Sequence, residues 1–205
     1  MIGSSTGGVR VLETVFSGLP RLNAAIVLVH HMPEFINRSV ADHLQSLSDM
    51  DVKVADHRDE LVPGRVYLAP SEVHLQVIAN RFTELFPGEK VNFVCPSVDV
   101  AMNSLVKRSG DRVIGVVLTG MGVDGAAGIS HIKEIGGITI AQDERTSAIY
   151  GMPKAAYETG SVDFVLSPEG VRAKLIELVG VRQPRAECGI AINGTWRHRP
   201  LGPRP

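Results

Sequence analysis

The sequence predicts an α/β domain, a doubly wound and mostly parallel sheet flanked by helices, with an antiparallel hairpin as an appendage. Three observations predict it. Short β-branched apolar runs alternate with helix-patterned stretches, which is the signature of βαβ units. These runs are continuously apolar, as strands covered on both faces must be. One passage breaks the rhythm by alternating apolar and polar residues around Ala79-Asn80, which reads as a hairpin. The strands are expected at residues 25–29, 65–68, 113–118, 138–141 and 162–166, and the hairpin arms at 74–78 and 81–86. Helices are expected at 9–17, 36–47, 98–107, 126–135, 153–159 and 168–178, each starting near a Ser, Asp, Gly or Pro.

The 205 residues suffice for one ordinary domain with a buried core. Hydrophobic residues make up 44% and charged residues 21%, both near globular averages, so the body is expected to fold. A formal net charge of −1 supplies no general attraction to nucleic acid or an anionic membrane, so neither is expected as a partner. Cys95 and Cys188 lie far apart with no CxxC pair, which argues against a disulfide framework or zinc site and for a reducing, cytoplasmic setting. No apolar run approaches the roughly 18 residues of a membrane span, and no export signal is visible. The domain is expected to cover residues 1–180. Residues 181–205 hold five Arg, four Pro and one acidic residue without apolar periodicity, and read as a disordered basic tail. The nucleophile turn described next begins at Gly3, so the strand feeding it is expected to be truncated.

Three turns fall at the C-terminal ends of expected parallel strands, the edge at which open α/β sheets collect ligands. They are Gly3-Ser4-Ser5-Thr6-Gly7-Gly8, His30-His31-Met32-Pro33, and Thr119-Gly120-Met121-Gly122-Val123-Asp124-Gly125. Gly7 and Gly8 allow a sharp turn into a helix and leave a serine exposed near its positive end. Ser4, Ser5 and Thr6 could equally be helix caps, and Asp124 a first-turn acid. A phosphate cradle is a weaker alternative, because the turn is neither GxGxxG nor GK[ST]. A histidine at a strand end can act as a general base. Together, a Ser, a His and an Asp at three such ends match the nucleophile, base and orienter of acyl transfer. Their order along the chain differs from that of α/β-hydrolases, and the turn lacks their GxSxG elbow.

At these residues the chain resembles the catalytic domain of the chemotaxis protein-glutamate methylesterases, the CheB family. The matching segments are IGSSTGG at 2–8, HMP at 31–33, PSVD at 96–99, LTGMGVDGA at 118–126 and QDERTSAIYGMP at 142–153. The resemblance implies a serine hydrolase that removes methyl esters from glutamates on the cytoplasmic helices of methyl-accepting chemoreceptors, with release of methanol and often deamidation of receptor glutamines. It implies Ser5 as nucleophile, His31 as base and Asp124 as orienter, with Thr6 and Met121 in support and the Met121 N–H at the oxyanion. No cofactor or metal is implied.

Several positions depart from the family pattern. Family members usually carry a receiver domain ahead of the catalytic domain; these 205 residues include none, so activity indifferent to phosphodonors is expected. Ser4, His30 and Cys95 stand where Ala, Gln and Arg are usual, and the STGG and HMP segments select Ser5 and His31 over their neighbours. His43, His57 and His131 read as surface residues without partners, His74 as non-catalytic, and Cys95 as a small buried side chain. An esterase or amidase with another substrate, or a scaffold without turnover, are the competing functions.

Overall fold

The computed structural model describes residues 1–182; the expected tail lies, apart from its first two residues, outside them. Val181 and Arg182 belong to the domain rather than the tail. Val181 bridges to Leu22, and the Arg182 N–H donates to the Arg21 carbonyl at 2.7 Å.

Seven strands form one sheet: β1 (Ile2–Ser4), β2 (Ile26–His30), β3 (Asp51–Val54), β4 (Arg65–Leu68), β7 (Ile114–Val117), β8 (Ile138–Gln142) and β9 (Phe164–Leu166). Their order is β3-β4-β2-β1-β7-β8-β9, and every pairing is parallel. The sheet is thus wholly rather than mostly parallel. β5 (His74–Ile78) and β6 (Phe82–Phe86) make a separate antiparallel pair. That hairpin is the expected appendage, anchored by Leu75 and Val77, which are buried in one of the two cores.

Helices cover both faces. α1 (Gly8–Phe16), α2 (Asn37–Leu47) and α6 (Pro168–Val179) pack one face around Leu12, Phe16, Leu44 and Val171. α3 (Val98–Asn103), α4 (Ala126–Glu134) and α5 (Met152–Glu158) pack the other around Val98, Met102, Ile129 and Met152. Side chains alternate along a strand. Ile26 and Leu28 of β2 accordingly enter the first core while Val27 and Val29 enter the second.

Chain order reverses direction at β1, with β2, β4 and β3 on one side and β7, β8 and β9 on the other. Such a reversal opens a crevice at the carboxyl ends of the central strands. The turns after β1, β2 and β7 all end there. A cavity of about 670 Å³ lies at the opposite edge around Leu22, Asn23, Asn80 and Val113, and none of the three turns lines it.

Candidate active site

Strand register brings the first two turns together. Ser4 of β1 pairs with His30 of β2, so Ser5 and His31 follow side by side at adjacent strand ends. The His31 N–H bonds back to the Ser4 carbonyl at 3.0 Å. By alternation, Ser4 and His30 point toward the α1 face. Both are buried, with Ser4 Oγ 2.9 Å from His30 Nδ1. Burial, opposed by a hydrogen bond from the ring to the Ser4 backbone and aided by the neighbouring His31, lowers the His30 pKa to about 4, so the ring stays neutral. A buried, neutral pair cannot meet a substrate, which leaves Ser5 and His31, both half-buried, as the accessible pair.

The third turn supplies Asp124. His31 Nε2–H donates to Asp124 Oδ2 at 2.9 Å, with the histidine side chain 10% and the aspartate 3% exposed. That bond fixes the tautomer and puts the lone pair on Nδ1. Among the described residues Nδ1 is the one buried side-chain N or O atom without a hydrogen-bond partner. A buried acceptor left bare costs free energy unless a ligand or reacting group completes it, and here it is the basic atom of the ring.

Asp124 is held by more than histidine. Oδ1 accepts from Ser97 Oγ at 2.7 Å, from the Asp99 N–H at 3.1 Å and from Asn92 Nδ2 at 3.2 Å, while Oδ2 also accepts from the Val98 N–H at 2.6 Å. Burial alone would raise its pKa. The bonds from His31, Ser97, Val98 and Asp99 outweigh that burial and hold the carboxyl below its usual range, so it is ionised at neutral pH. The start of α3 can come this close because Gly3 has no side chain; a Cβ there would fall 2.5 Å from Val98 Cγ1.

Sequence reasoning quoted the PSVD segment but gave Ser97, Val98 and Asp99 no role, and it missed Asn92 altogether. The signal available was the helix N-terminus, whose free N–H groups and Ser cap attract a carboxylate. His74, given no role, braces this arrangement: its Nδ1 accepts from the Ser97 N–H at 3.2 Å and its Nε2 donates to the Glu89 carbonyl at 2.9 Å. The expectation that His43, His57 and His131 lack partners is corrected. His43 bonds Glu13 at 2.9 Å, His57 meets the Leu85 backbone at 3.2 Å and His131 donates to the Leu105 carbonyl at 2.7 Å.

Thr6 and Met121, the support residues that the resemblance implies, lie on the first and third turns. The Ser5 N–H is already spent on the Thr119 carbonyl at 2.9 Å. Thr6, exposed, follows Ser5 directly, and Met121 is 74% exposed at the tip of the glycine-rich turn. Among the described residues neither Thr6 N–H nor Met121 N–H has an acceptor. The QDERTSAIYGMP segment holds that turn from behind. Gln142 Oε1 accepts from the Thr119 N–H at 2.7 Å, the Gly120 N–H donates to the Ile149 carbonyl at 3.1 Å, and the Gly120 carbonyl accepts from Met152 at 2.9 Å. Gly120 is compressed between Met152 and Ser5: a Cβ there would fall 2.2 Å from Met152 Sδ and 2.7 Å from Ser5 Cβ.

The turn at Asn92-Phe93 is unusual. Val91 and Val94 exchange both backbone hydrogen bonds at 3.1 Å, and the two central residues have φ of 51° and 66°. That is the type I′ geometry, which suits Asn and strains Phe by about 1–2 kcal/mol. Asn92 turns inward, donating to Asp99 Oδ2 at 2.8 Å as well as to Asp124. Phe93 points out and is 94% exposed.

Cys95 is half-buried, and burial raises its thiol pKa despite Lys90 nearby, as expected of an unreactive cysteine. Among the described residues no group of three His, Cys, Asp or Glu could hold a metal, and no helix is long and apolar enough to cross a membrane.

Comparison with known proteins places this site in context. The family model for CheB methylesterase matches residues 1–175. A protein-glutamate methylesterase/protein-glutamine glutaminase of Pyrococcus horikoshii is 44% identical over 184 residues, which is 88% of this chain and 50% of the relative. One of Sulfurimonas denitrificans with the same name is 42% identical, covering 89% of this chain and 53% of the relative. The chain therefore spans about half the length of these curated relatives. The crystal structure of the Thermotoga maritima CheB methylesterase catalytic domain superposes with a TM-score of 0.83 at 41% identity, covering 87% of this chain and 96% of that one.

Proposed function

The chain belongs to the CheB methylesterase family, and on that premise we propose that it hydrolyses methyl esters of glutamate side chains on chemoreceptor proteins, with Ser5, His31 and Asp124 as its catalytic groups. One observation carries the assignment of residues. His31 has one ring nitrogen committed to an ionised, buried Asp124 and the other buried without a partner, next in register to Ser5.

The chemistry follows from that arrangement. Ser5 Oγ attacks the ester carbonyl as His31 Nδ1 takes its proton, and Asp124 stabilises the imidazolium that forms. The Thr6 and Met121 N–H groups, free of acceptors among the described residues, are the donors we assign to the oxyanion, following the family resemblance. Collapse of the tetrahedral intermediate expels methoxide, which receives the proton from Nδ1 and leaves as methanol. Water, activated by the same nitrogen, then attacks the acyl-serine and releases glutamate. An amide substrate passes through the same acyl-serine with ammonia as the leaving group, in keeping with the glutaminase in the relatives' names.

Methanol release from methylated receptor membranes tests the substrate, and a serine-reactive fluorophosphonate tests the nucleophile. The reading expects both, with labelling lost in Ser5→Ala. Labelling without methanol would leave a serine hydrolase with another substrate, and neither would leave a binding scaffold.

A further inference from the structure

We propose that Phe93 is a substrate-docking residue, and that the exposed apolar rim it forms with Met121 and Val123 receives an apolar side chain of the protein substrate beside the esterified residue. This rests on the reading of Ser5 as the nucleophile of a protein methylesterase. Three observations support it.

The first is placement. Asn92 and Asp124 are hydrogen-bonded to each other, and the residues next to them in the chain, Phe93 and Val123, both carry their side chains outward. Met121, also exposed, stands on the same glycine-rich turn as Val123 and as Asp124, which serves His31. The second is conformation. Phe93 keeps a left-handed backbone at φ 66°, where a glycine would sit at ease, and none of the ring's burial compensates for it. Strain held at the edge of a reaction site, by an aromatic that packs against nothing in its own fold, is what a contact completed by a partner looks like. The third is rigidity. The turn is locked by its paired Val91–Val94 bonds and by Asn92 on both Asp99 and Asp124, so the ring is presented from a fixed base.

The experiment compares the whole chain with Phe93→Gly, Phe93→Leu and a control, Val106→Ser, at an exposed apolar position beyond the far end of α3. Methanol release from methylated receptor membranes and fluorophosphonate labelling of Ser5 are measured alongside Tm. Phe93→Gly should keep or raise Tm, lower kcat/KM on membranes about tenfold through KM, and slow labelling by less than twofold. Phe93→Leu should recover most of the loss, and Val106→Ser should match the parent. Equal KM in Phe93→Gly and the parent overturns the inference and leaves the activity standing. Labelling that falls in step with methanol release also overturns it, because the turn would then act through Asp124. A parent chain that is labelled but releases no methanol overturns the substrate reading and the inference together.

Discussion

Asp99 and Asp124 each stand at the start of one helix and serve the other. Asp99, in the first turn of α3, accepts from the Gly125 and Gly128 N–H groups at the start of α4, at 2.9 and 2.7 Å. Asp124, just ahead of α4, accepts from the Val98 and Asp99 N–H groups that open α3. Two carboxylates this close oppose one another. Burial first, and then the charge of Asp124, raises the pKa of Asp99 while Asp124 stays low. Asp99→Ala should therefore destabilise the chain by roughly 1–3 kcal/mol for each buried donor left bare, read from urea unfolding. In Asp124→Asn the carboxyl of Asp99 should titrate at lower pH, followed by carbon NMR. An unmoved titration would mean that the two acids do not sense each other.

Ser5→Ala, His31→Ala and Asp124→Asn should each depress ester hydrolysis by about 10⁴ to 10⁶, as members of a unit that acts together do. Circular dichroism should show Ser5→Ala and His31→Ala folded, since neither side chain is part of a core cluster. A Ser4→Ala chain that lost activity while Ser5→Ala kept it would reverse the assignment of the nucleophile.

Gly120→Ala should slow Ser5 labelling by about 10² while lowering stability by about 1–3 kcal/mol. The added methyl has to displace Met152 or Ser5, and Ser5 sits at the end of a strand of three residues. Labelling at the parent rate, with stability reduced, would show that Met152 alone gives way.

His30 sets a pH dependence of stability. Its folded pKa of about 4 lies below the ordinary 6.5, so between these values the unfolded chain binds the extra proton and stability falls as pH falls. The loss approaches about 3 kcal/mol by pH 4. Asp124 adds a second loss at lower pH, because a depressed carboxyl contributes above its unfolded pKa and stops doing so as pH drops through its folded value. His30→Gln, which cannot ionise, should lessen the loss in the first window, where the buried Met1 ammonium, lowered to about 5, also contributes, and leave the second, measured as urea midpoints at pH 7, 5 and 3. The same pH dependence in both chains would refute the attribution.

Much of this architecture was legible in the sequence because parallel strands buried on both faces are apolar throughout. β4 falls at the expected 65–68, and β2, β7 and β8 lie within two residues of expectation. β3 was not seen: Asp-Val-Lys-Val is an edge strand, half-buried, with two charges among its four residues. α3 ends at Asn103 rather than 107, where Ser104 Oγ turns back on the Ala101 carbonyl. The strand-end placement of Ser5, His31 and Asp124 was legible because each occupies a turn with a signature of its own. Asn92, His74 and Gln142 were not, since each reaches the site through a hydrogen bond to backbone or carboxylate that spans 23 to 32 positions in the chain.

The doubled Ser-Ser and His-His dipeptides spell one couple twice across two neighbouring strands. Ser4–His30 sits beneath α1, where a Cβ on Gly8 would fall 2.7 Å from the His30 ring, and Ser5–His31 opens on the other side of the sheet. Only the second couple has an acid behind its imidazole and a bare nitrogen in front. The pleat, rather than the letters, decides which serine we propose as the nucleophile. The molecule thus carries its own blank: a serine and a histidine on the same scaffold, stripped of carboxylate and water, against which the reactivity of Ser5 can be gauged within a single chain.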